Sequence, residues 1–192
     1  MPDINHFDFL APIYDKVIKP QDPEWLIKLA RLPVSGMVLD AGGGTGRVAS
    51  VLRDFTSGFI VADLSMRMLR KAIVKEGLNV VNTSTENLPF ADESFERVIM
   101  VDSFHHVVNQ VITAREMWRV VIPGGWVIVE EPDIRKNLVK LIALFEKLAL
   151  MRSHFLPPQT IASYFQFPGA NIDLHENKFS SWVVIQKARS CD

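Results

Sequence analysis

Four glycines fall within the five positions 42–46, directly after an apolar run that ends in Asp40 and Ala41. Glycine accepts the positive φ of a tight turn and, because it has no Cβ, lets a ligand approach the backbone closely. A plain turn from a strand into a helix needs only one such residue. The crowded glycines beside a carboxylate therefore predict a ligand-binding turn at the end of the first strand.

The rest of the chain alternates short apolar runs with segments of helical spacing. Such alternation is typical of right-handed βαβ units and of a mostly parallel sheet buried on both faces. The last two strands have no helix between them, which indicates an antiparallel pair. We therefore predict an α/β fold: a Rossmann-like, doubly wound, mostly parallel seven-stranded sheet with an antiparallel C-terminal edge hairpin. The strands are expected at 37–41, 58–62, 79–82, 95–101, 126–129, 172–175 and 182–186, and the helices at about 22–33, from about 46, and at about 65–76, 110–121 and 135–151.

Charge and cysteine content exclude several classes of partner and site. The formal net charge of -1 argues against a broad phosphate-binding surface, so no nucleic acid partner is expected. The only cysteine is Cys191, which excludes an internal disulfide and a cysteine-based metal site.

The sequence also predicts a compartment and a domain organisation. The first residues lack the basic start and long apolar core of a signal peptide, and residues 138–151 are too short and too charged to span a membrane. We expect a cytoplasmic protein with a single domain over residues 1–192. Residues 1–35 are expected to form an N-terminal helical cap segment, and residues 36–192 the core.

Three ligand classes compete for the glycine turn. A mononucleotide P-loop ends in Gly-Lys-Ser/Thr, and Gly46-Arg47-Val48 does not match it. A dinucleotide fold spaces its glycines as G-x-G-x-x-G, whereas here they read G-x-G-x-G, and Asp40 would repel a pyrophosphate. A cationic ligand would be attracted by Asp40. Asp63 ends the second strand, where a carboxylate can accept both hydroxyls of a ribose or, alternatively, cap the following helix.

Five segments of the sequence resemble one family. They are HFDFLAPIYD near the start, VLDAGGGTGR at the glycine turn, IVADLS around Asp63, and the later ENLPFADESFERVIMVDSFHHV and AREMWRVVIPGGWVIVEEP. In order and spacing they are similar to the class I S-adenosylmethionine-dependent methyltransferases, and in particular to the branch with the quinone-biosynthesis C-methyltransferases and many small-molecule enzymes. The resemblance covers residues 7–132. It implies methyl transfer from S-adenosylmethionine to a small-molecule acceptor, with S-adenosylhomocysteine as product.

The resemblance implies how the methionine end of this cofactor is held. Asp40 would lie near the amino group, and Asp102 would begin a turn beside the same end of the cofactor. Backbone contacts would come from Ala41, Gly42 and Gly44.

At the adenosine end, the resemblance implies that Asp63 holds the ribose hydroxyls and that Leu64 lies against the adenine. Met68 would pack beside it or belong to the core. Tyr14 would close over the cofactor or act as a packed aromatic residue of the N-terminal segment.

Ser84, Thr85 and Glu86 would lie at the adenine edge. The family often has an acidic residue at the position of Ser84, where it accepts a hydrogen bond from the adenine amino group. Serine can accept the same bond without the charge assistance, so this departure predicts a lower adenine affinity or a substitute neighbour.

Two histidines and three acids follow the fourth and fifth strands, on the edge where the ligand is expected. His105 and His106 are candidates for a general base that takes a proton from the acceptor, or they are structural histidines bonded to backbone. Glu130, Glu131 and Asp133 would orient a polar acceptor or be solvated loop charges. Adjacent histidines do not point the same way and no ligand spacing fits zinc, so we expect no metal.

Recognition of the acceptor is expected from the ends and insertions of the chain, because the core is committed to the cofactor. Candidates are Phe7, Phe9 and Tyr14, with residues 151–167, and their aromatic content suggests an apolar or aromatic acceptor. The short segment before the sixth strand is compatible with a homodimer that completes the site. Two other functions remain open: a non-catalytic binding or regulatory protein with this fold, and an NAD-dependent oxidoreductase.

Overall fold

The structure, a computed structural model, describes residues 23–148 and 153–189. The contacts predicted for Tyr14, Phe7 and Phe9 lie outside these residues. Among the described residues, no helix is long and apolar enough to cross a membrane.

Seven strands form one sheet with the spatial order β3-β2-β1-β4-β5-β7-β6. Strands β3, β2, β1, β4 and β5 run parallel to one another, whereas β7 pairs antiparallel with both β5 and β6. This arrangement confirms the predicted mostly parallel sheet with its antiparallel C-terminal edge. The strands are β1 (Met37–Ala41), β2 (Gly58–Asp63), β3 (Leu78–Asn82), β4 (Phe95–Val101), β5 (Val121–Pro132), β6 (Ala170–Asn177) and β7 (Ser180–Lys187). The α-helices among the described residues are α1 (Pro23–Leu29), α2 (Ala49–Leu52), α3 (Met66–Ala72), α4 (Gln110–Val120), α5 (Asn137–Leu148) and α6 (Pro158–Ser163).

The sheet is buried on both faces, as its near-continuous apolar strands predict. One buried cluster joins Val38, Ile99 and Trp182 with Leu26 and Leu29 of α1. The second cluster, built from alternate residues of the same strands, packs against α4 and α6. Helix α1 therefore contributes to the core, although it lies within the predicted cap segment 1–35; the boundary between cap and core stays a prediction.

The order of the strands reverses beside β1. From β1 the chain runs outward to β2 and β3 and then crosses to β4, which pairs with the opposite edge of β1. In open α/β sheets, ligands bind outside the carboxyl ends of the strands at such a point. The turns that follow β1 and β4 therefore meet where a ligand is expected.

Several element boundaries differ from the sequence prediction, and helix α6 was not predicted. Two of these differences lie at glycines. The helix expected from about residue 46 becomes α-helical only at Ala49, because the glycine turn extends to that point, and Val51 on it is exposed. Strand β5 begins at Val121, earlier than the predicted start at residue 126, and includes Gly124, where φ is +82°; the pairing with β4 shifts register in this part of the strand. The residues of β5 that have no partner in β4 at this shift are accommodated as an irregularity within β5.

Candidate active site

The glycine turn and the turn after β4 pack directly against each other. Gly42 has φ +71°, and a Cβ at this position would overlap Ser103 Oγ. A Cβ on Gly43 would lie 2.5 Å from Cγ of Asp40, whereas one on Gly44 would meet only Asp63 Oδ2, at 3.8 Å. Gly42 and Gly43 are thus required by packing, and Gly44 leaves space for a ligand next to the backbone.

Asp63 at the end of β2 contacts the glycine turn. Its Oδ2 accepts a hydrogen bond of 2.9 Å from the Gly44 amide, and its Oδ1 accepts one of 2.7 Å from the Ser65 amide. Ser65 is the N-cap of α3, and its hydroxyl accepts from the Met68 amide at 3.2 Å. The alternative interpretation of Asp63 as the helix cap is therefore not what the structure has, and the carboxylate stays at the strand edge.

The two residues predicted to lie near the adenine occupy different environments. Leu64 is 67% exposed at the tip of β2, whereas Met68 is buried. Asn82 at the end of β3 donates to the Asp63 and Leu64 carbonyls at 3.0 and 2.9 Å, which fixes this tip. Leu64 is therefore accessible at the edge of the sheet, and Met68 belongs to the core.

The loop with Ser84, Thr85 and Glu86 is held by its own side chains. Ser84 Oγ donates to Glu86 Oε2, and Glu86 Oε1 accepts from the Val108 and Asn109 amides at 2.9 and 3.2 Å. Burial raises the pKa of Glu86, but these hydrogen bonds more than offset it, so the pKa lies below its usual range. Thr85 is buried.

The side chain of Thr85 contacts α4, with its Oγ1 3.3 Å from Thr113 Oγ1. Of the three residues predicted at the adenine edge, Thr85 and Glu86 thus have structural partners within the protein. The Ser84 hydroxyl is likewise engaged with Glu86, so the backbone of the loop is what it can offer to a ligand.

Several ionisable residues are buried at the carboxyl ends of β1, β4 and β5. Asp40 is 1% exposed, accepts a hydrogen bond from the Ala49 amide, and has an Oδ2 with no partner among the described residues. Burial raises the pKa of Asp40 to about 7; nearby Arg47 lowers it and nearby Asp63 raises it further. Burial, and then the Asp102 carboxylate, raise the pKa of Glu130 to about 8.

Asp102 lies within this group of buried charges and has a strained backbone. Its φ is +52°, in the left-handed region that residues with a Cβ adopt only when their surroundings enforce it. Its Oδ2 lies 3.3 Å from Nη2 of Arg47. Burial, and next the Glu131 carboxylate, raise the pKa of Asp102, and Arg47 and His105 act against them.

The two histidines differ in accessibility. His105 is 3% exposed, its Nδ1 lies 2.5 Å from Oε2 of Glu131, and its ring stacks on Phe155 at 4.1 Å. His106 is half-buried, and its Nδ1 lies 3.3 Å from Ser153 Oγ. A substrate can therefore reach His106 more readily than His105.

The three acids predicted to follow the fifth strand are buried at its carboxyl end, Glu130 and Glu131 within β5 and Asp133 directly after it. Glu131 Oε1 accepts from the Ser103 and Phe104 amides at 3.0 and 2.7 Å, so this carboxylate organises the turn after β4. Asp133 pairs with Arg135 at 2.8 Å, and the hydrogen bond from Arg135 lowers the pKa of Asp133. Solvated loop charges, one of the two interpretations left open by the sequence, do not describe these residues.

Sequence reasoning missed Arg47 and the anchoring role of Glu131. The signal for Arg47 was present, because it is a charged residue directly after the glycines at the start of an otherwise apolar segment. Among the described residues, no group of three or more His, Cys, Asp or Glu side chains could hold a metal ion.

Comparison with known proteins gives concordant results. The family described as a methyltransferase domain matches residues 39–129. The ubiquinone/menaquinone biosynthesis C-methyltransferase UbiE of Syntrophotalea carbinolica is 34% identical over 139 residues, which cover 65% of this chain and 59% of that protein. UbiE of Coxiella burnetii is 28% identical over 133 residues, covering 64% and 53%. The chain thus spans between about half and three fifths of the length of these curated relatives.

Solved structures share the fold at low sequence identity. A chain from the Haloferax volcanii complex of the Trm112 methyltransferase activator with its methyltransferase partner aligns with a TM-score of 0.78 at 17% identity, covering 96% of this chain and 98% of that one. A SAM-dependent methyltransferase from Aquifex aeolicus aligns with a TM-score of 0.71 at 16% identity, covering 92% and 94%.

Proposed function

We propose that this chain is a class I S-adenosylmethionine-dependent methyltransferase and that it transfers the methyl group of S-adenosylmethionine to a small-molecule acceptor. The observation that carries the proposal is the hydrogen bond from the Gly44 amide to Asp63. It brings the glycine turn and the strand-end acid, predicted to hold the two ends of one ligand, to the same edge of the sheet.

The residues at this edge fit the cofactor. The buried Oδ2 of Asp40, which has no partner within residues 23–148 and 153–189, suits the ammonium of its methionine end, because a buried carboxylate oxygen is costly without a hydrogen-bond donor. The open space beside Gly44 suits the close approach of the ligand to the backbone. The exposed Leu64 suits an apolar contact with the adenine.

We assign the binding residues accordingly. Asp63 accepts the ribose hydroxyls through the carboxylate that the Gly44 and Ser65 amides orient. Asp40 and Asp102 face the methionine end, to which Ala41, Gly42 and Gly44 contribute backbone. Leu64 and the loop Ser84, Thr85 and Glu86 lie at the adenine edge. Tyr14 is proposed to close over the cofactor.

When bound, S-adenosylmethionine supplies a methyl group on a positively charged sulfur, with a neutral thioether as leaving group. The protein's task is to align the acceptor atom with that methyl group and to keep water away. Where the acceptor must lose a proton, His106 takes it, since this imidazole is half-buried and supported by Ser153. His105, held by Glu131, positions the turn that presents His106.

We propose an apolar or aromatic acceptor. Phe155 stacks on His105, so an aromatic side chain lies beside the histidines. The relatives are named for the biosynthesis of quinones, which are aromatic or quinonoid rings. A homodimer that completes this side of the site is part of the same proposal.

Calorimetric titration of the full chain with S-adenosylmethionine, S-adenosylhomocysteine and NAD tests the cofactor. We expect binding of both adenosyl compounds and none of NAD; binding of NAD alone would overturn the proposal. An acceptor screen read by a mass gain of one methyl group then separates an enzyme from a non-catalytic binding protein with this fold.

A further inference from the structure

The outward side of helix α3 and of the turn after it carries exposed apolar side chains. Met66 is 49% exposed, and Ile73 and Val74, which follow the helix, are 59% and 80% exposed. Met66 and Ile73 are seven residues apart, so they lie on one side of the helix, away from the buried Met68 and Leu69. Apolar side chains grouped on one exposed surface indicate contact with a partner, whereas single ones need no explanation.

The same surface is basic. Residues 66–75, MRMLRKAIVK, contain four cations and no acid, although the whole chain has a formal net charge of -1. Arg67 and Arg70 are exposed, and Lys71 and Lys75 are half-buried. We call the outward side of residues 66–75 the α3 face. It is a local concentration of positive charge on a chain whose other residues are acidic on balance.

The acids closest to the α3 face lie at its end, next to another cation. Glu76 follows Lys75, and Arg53 donates a hydrogen bond to the Glu76 carbonyl. Arg53 also pairs with the exposed Asp54 carboxylate at 3.6 Å. Because Arg53 offsets one of these two acids, the surface around α3 keeps a net positive charge.

We propose that the α3 face docks on an anionic lipid bilayer. Basic side chains are attracted by anionic headgroups, and exposed apolar side chains beside them can enter the boundary between headgroups and acyl chains. A nucleic acid is the alternative polyanion. However, residues 66–75 contain no aromatic side chain on which a base could stack, and exposed isoleucine and valine offer nothing to a phosphate.

The position of α3 relates this surface to the candidate active site. The helix follows the carboxyl end of β2, so one end of the α3 face lies beside the edge of the sheet where the ligand is proposed to bind. Docking itself does not depend on the activity. Its consequence rests on the function proposed above: an apolar acceptor dissolves in the bilayer, next to which docking places the site.

Sedimentation of the full chain with lipid vesicles tests the docking. We expect vesicles of equal parts phosphatidylcholine and phosphatidylglycerol to bind the chain at least about tenfold more tightly than phosphatidylcholine alone, since each basic residue near an anionic surface contributes roughly fivefold. High salt should weaken this preference, because it screens the charges. The double variant Arg70→Glu/Ile73→Ser should lose most of the vesicle binding and keep the wild-type affinity for S-adenosylhomocysteine.

Lys178→Glu/Phe179→Ser is the matched control. Both residues are exposed in the turn between β6 and β7, whereas α3 packs beside β2 and β3, at the opposite edge of the sheet. The control reverses one charge and removes one exposed apolar side chain, as the α3 variant does, and should bind vesicles as the wild-type chain does. Circular dichroism establishes that both variants are folded. If the double variant on α3 does not fold, Arg70→Glu and Ile73→Ser carry the test separately, and each should weaken binding severalfold.

The other results overturn the inference. A wild-type chain that binds neither kind of vesicle, or both equally, does not dock on anionic lipid, and the proposed function is unaffected. An equal loss in the control variant places the binding elsewhere on the chain. If single-stranded DNA displaces the vesicles and Ile73→Ser binds them normally, the α3 face binds polyanions through charge alone. A chain that binds vesicles but not S-adenosylhomocysteine contradicts the proposed function and leaves the docking intact.

Discussion

The Asp63 carboxylate accepts a hydrogen bond of 2.9 Å from the amide of Gly44, 19 residues earlier in the chain. Its other oxygen accepts from the Ser65 amide, so two backbone segments orient one carboxylate at the end of β2. A carboxylate offers about four acceptor positions, and these two bonds orient Asp63 at the edge of the sheet where the ribose is proposed to bind. The glycine turn and the acid thus act as one unit, and changes to either should affect the same ligand.

Replacing Asp63 tests this unit. We expect Asp63→Ala to weaken binding of S-adenosylhomocysteine by about 1–3 kcal/mol, the cost of losing hydrogen bonds to a charged group. Calorimetric titration measures it, with circular dichroism to establish that the variant is folded. Asp54→Ala is the control, since the Asp54 side chain is 84% exposed and outside the site. An unchanged affinity in a folded Asp63→Ala protein would remove the ribose assignment.

Gly42 and Gly44 should respond differently to alanine. A Cβ at Gly42 overlaps Ser103 Oγ at a φ of +71°, so Gly42→Ala should lower the free energy of unfolding by several kcal/mol. A Cβ at Gly44 meets open space, so Gly44→Ala should cost roughly 1–2 kcal/mol of backbone strain. Urea unfolding measures both costs.

Gly44→Ala should be the more stable of the two glycine variants but should bind S-adenosylhomocysteine more weakly. Gly44→Ala places a methyl group in the space beside the backbone and should lower the affinity for S-adenosylhomocysteine at least tenfold. The interpretation of Gly44 as the ligand-facing glycine fails if this variant binds as tightly as the wild-type chain. It also fails if Gly44→Ala costs as much stability as Gly42→Ala.

The sequence predicted the parts of the site that local chemistry determines. The glycine turn, Asp63 at a strand end and the alternation of strands and helices are readable because glycine content and apolar runs act over a few residues. The mostly parallel sheet with its antiparallel C-terminal edge was predicted correctly because strands with intervening helices allow few arrangements.

The sequence could not predict which polar residues become buried. Glu131 is buried because it meets amides of Ser103 and Phe104, almost thirty residues earlier in the chain. Thr85 faces α4 through Thr113, and no spacing rule specifies that direction. Such pairings depend on how distant elements pack, which is not encoded in any local pattern.

Substitutions of the two histidines should have different effects on catalysis and on stability. With an acceptor that requires deprotonation, His106→Ala should lower kcat by about 10²–10⁴, the usual contribution of a general base, and leave S-adenosylhomocysteine affinity unchanged. His105→Ala should lower the free energy of unfolding by about 1–3 kcal/mol, because Glu131 loses its buried partner. Kinetics and urea unfolding of both variants measure these effects. A fully active His106→Ala enzyme would contradict the assignment of the base.

Glu130 determines how the stability of the chain should depend on pH. Burial, and next the Asp102 carboxylate, raise its pKa from 4.5 to about 8 in the folded chain. Between these values the folded chain binds more protons than the unfolded chain, so the free energy of unfolding falls as the pH rises. Glu130→Gln removes this titration and keeps a side chain that can hydrogen-bond, so it should be more stable than the wild-type chain at alkaline pH. At roughly 1.4 kcal/mol for each unit of pKa shift, the gain reaches a few kcal/mol.

Urea unfolding between about pH 5 and pH 9 measures the effect of Glu130 directly. Asp40, whose pKa is raised to about 7, continues to titrate in the Glu130→Gln variant, so the variant curve should still fall, but less steeply. The quantity to follow is therefore the difference between the two curves, which should grow in favour of the variant as the pH rises. Glu24→Gln, at an exposed position of α1, controls for the loss of one surface charge. Parallel curves for Glu130→Gln and wild type would mean that Glu130 is already ionised at neutral pH in the folded chain.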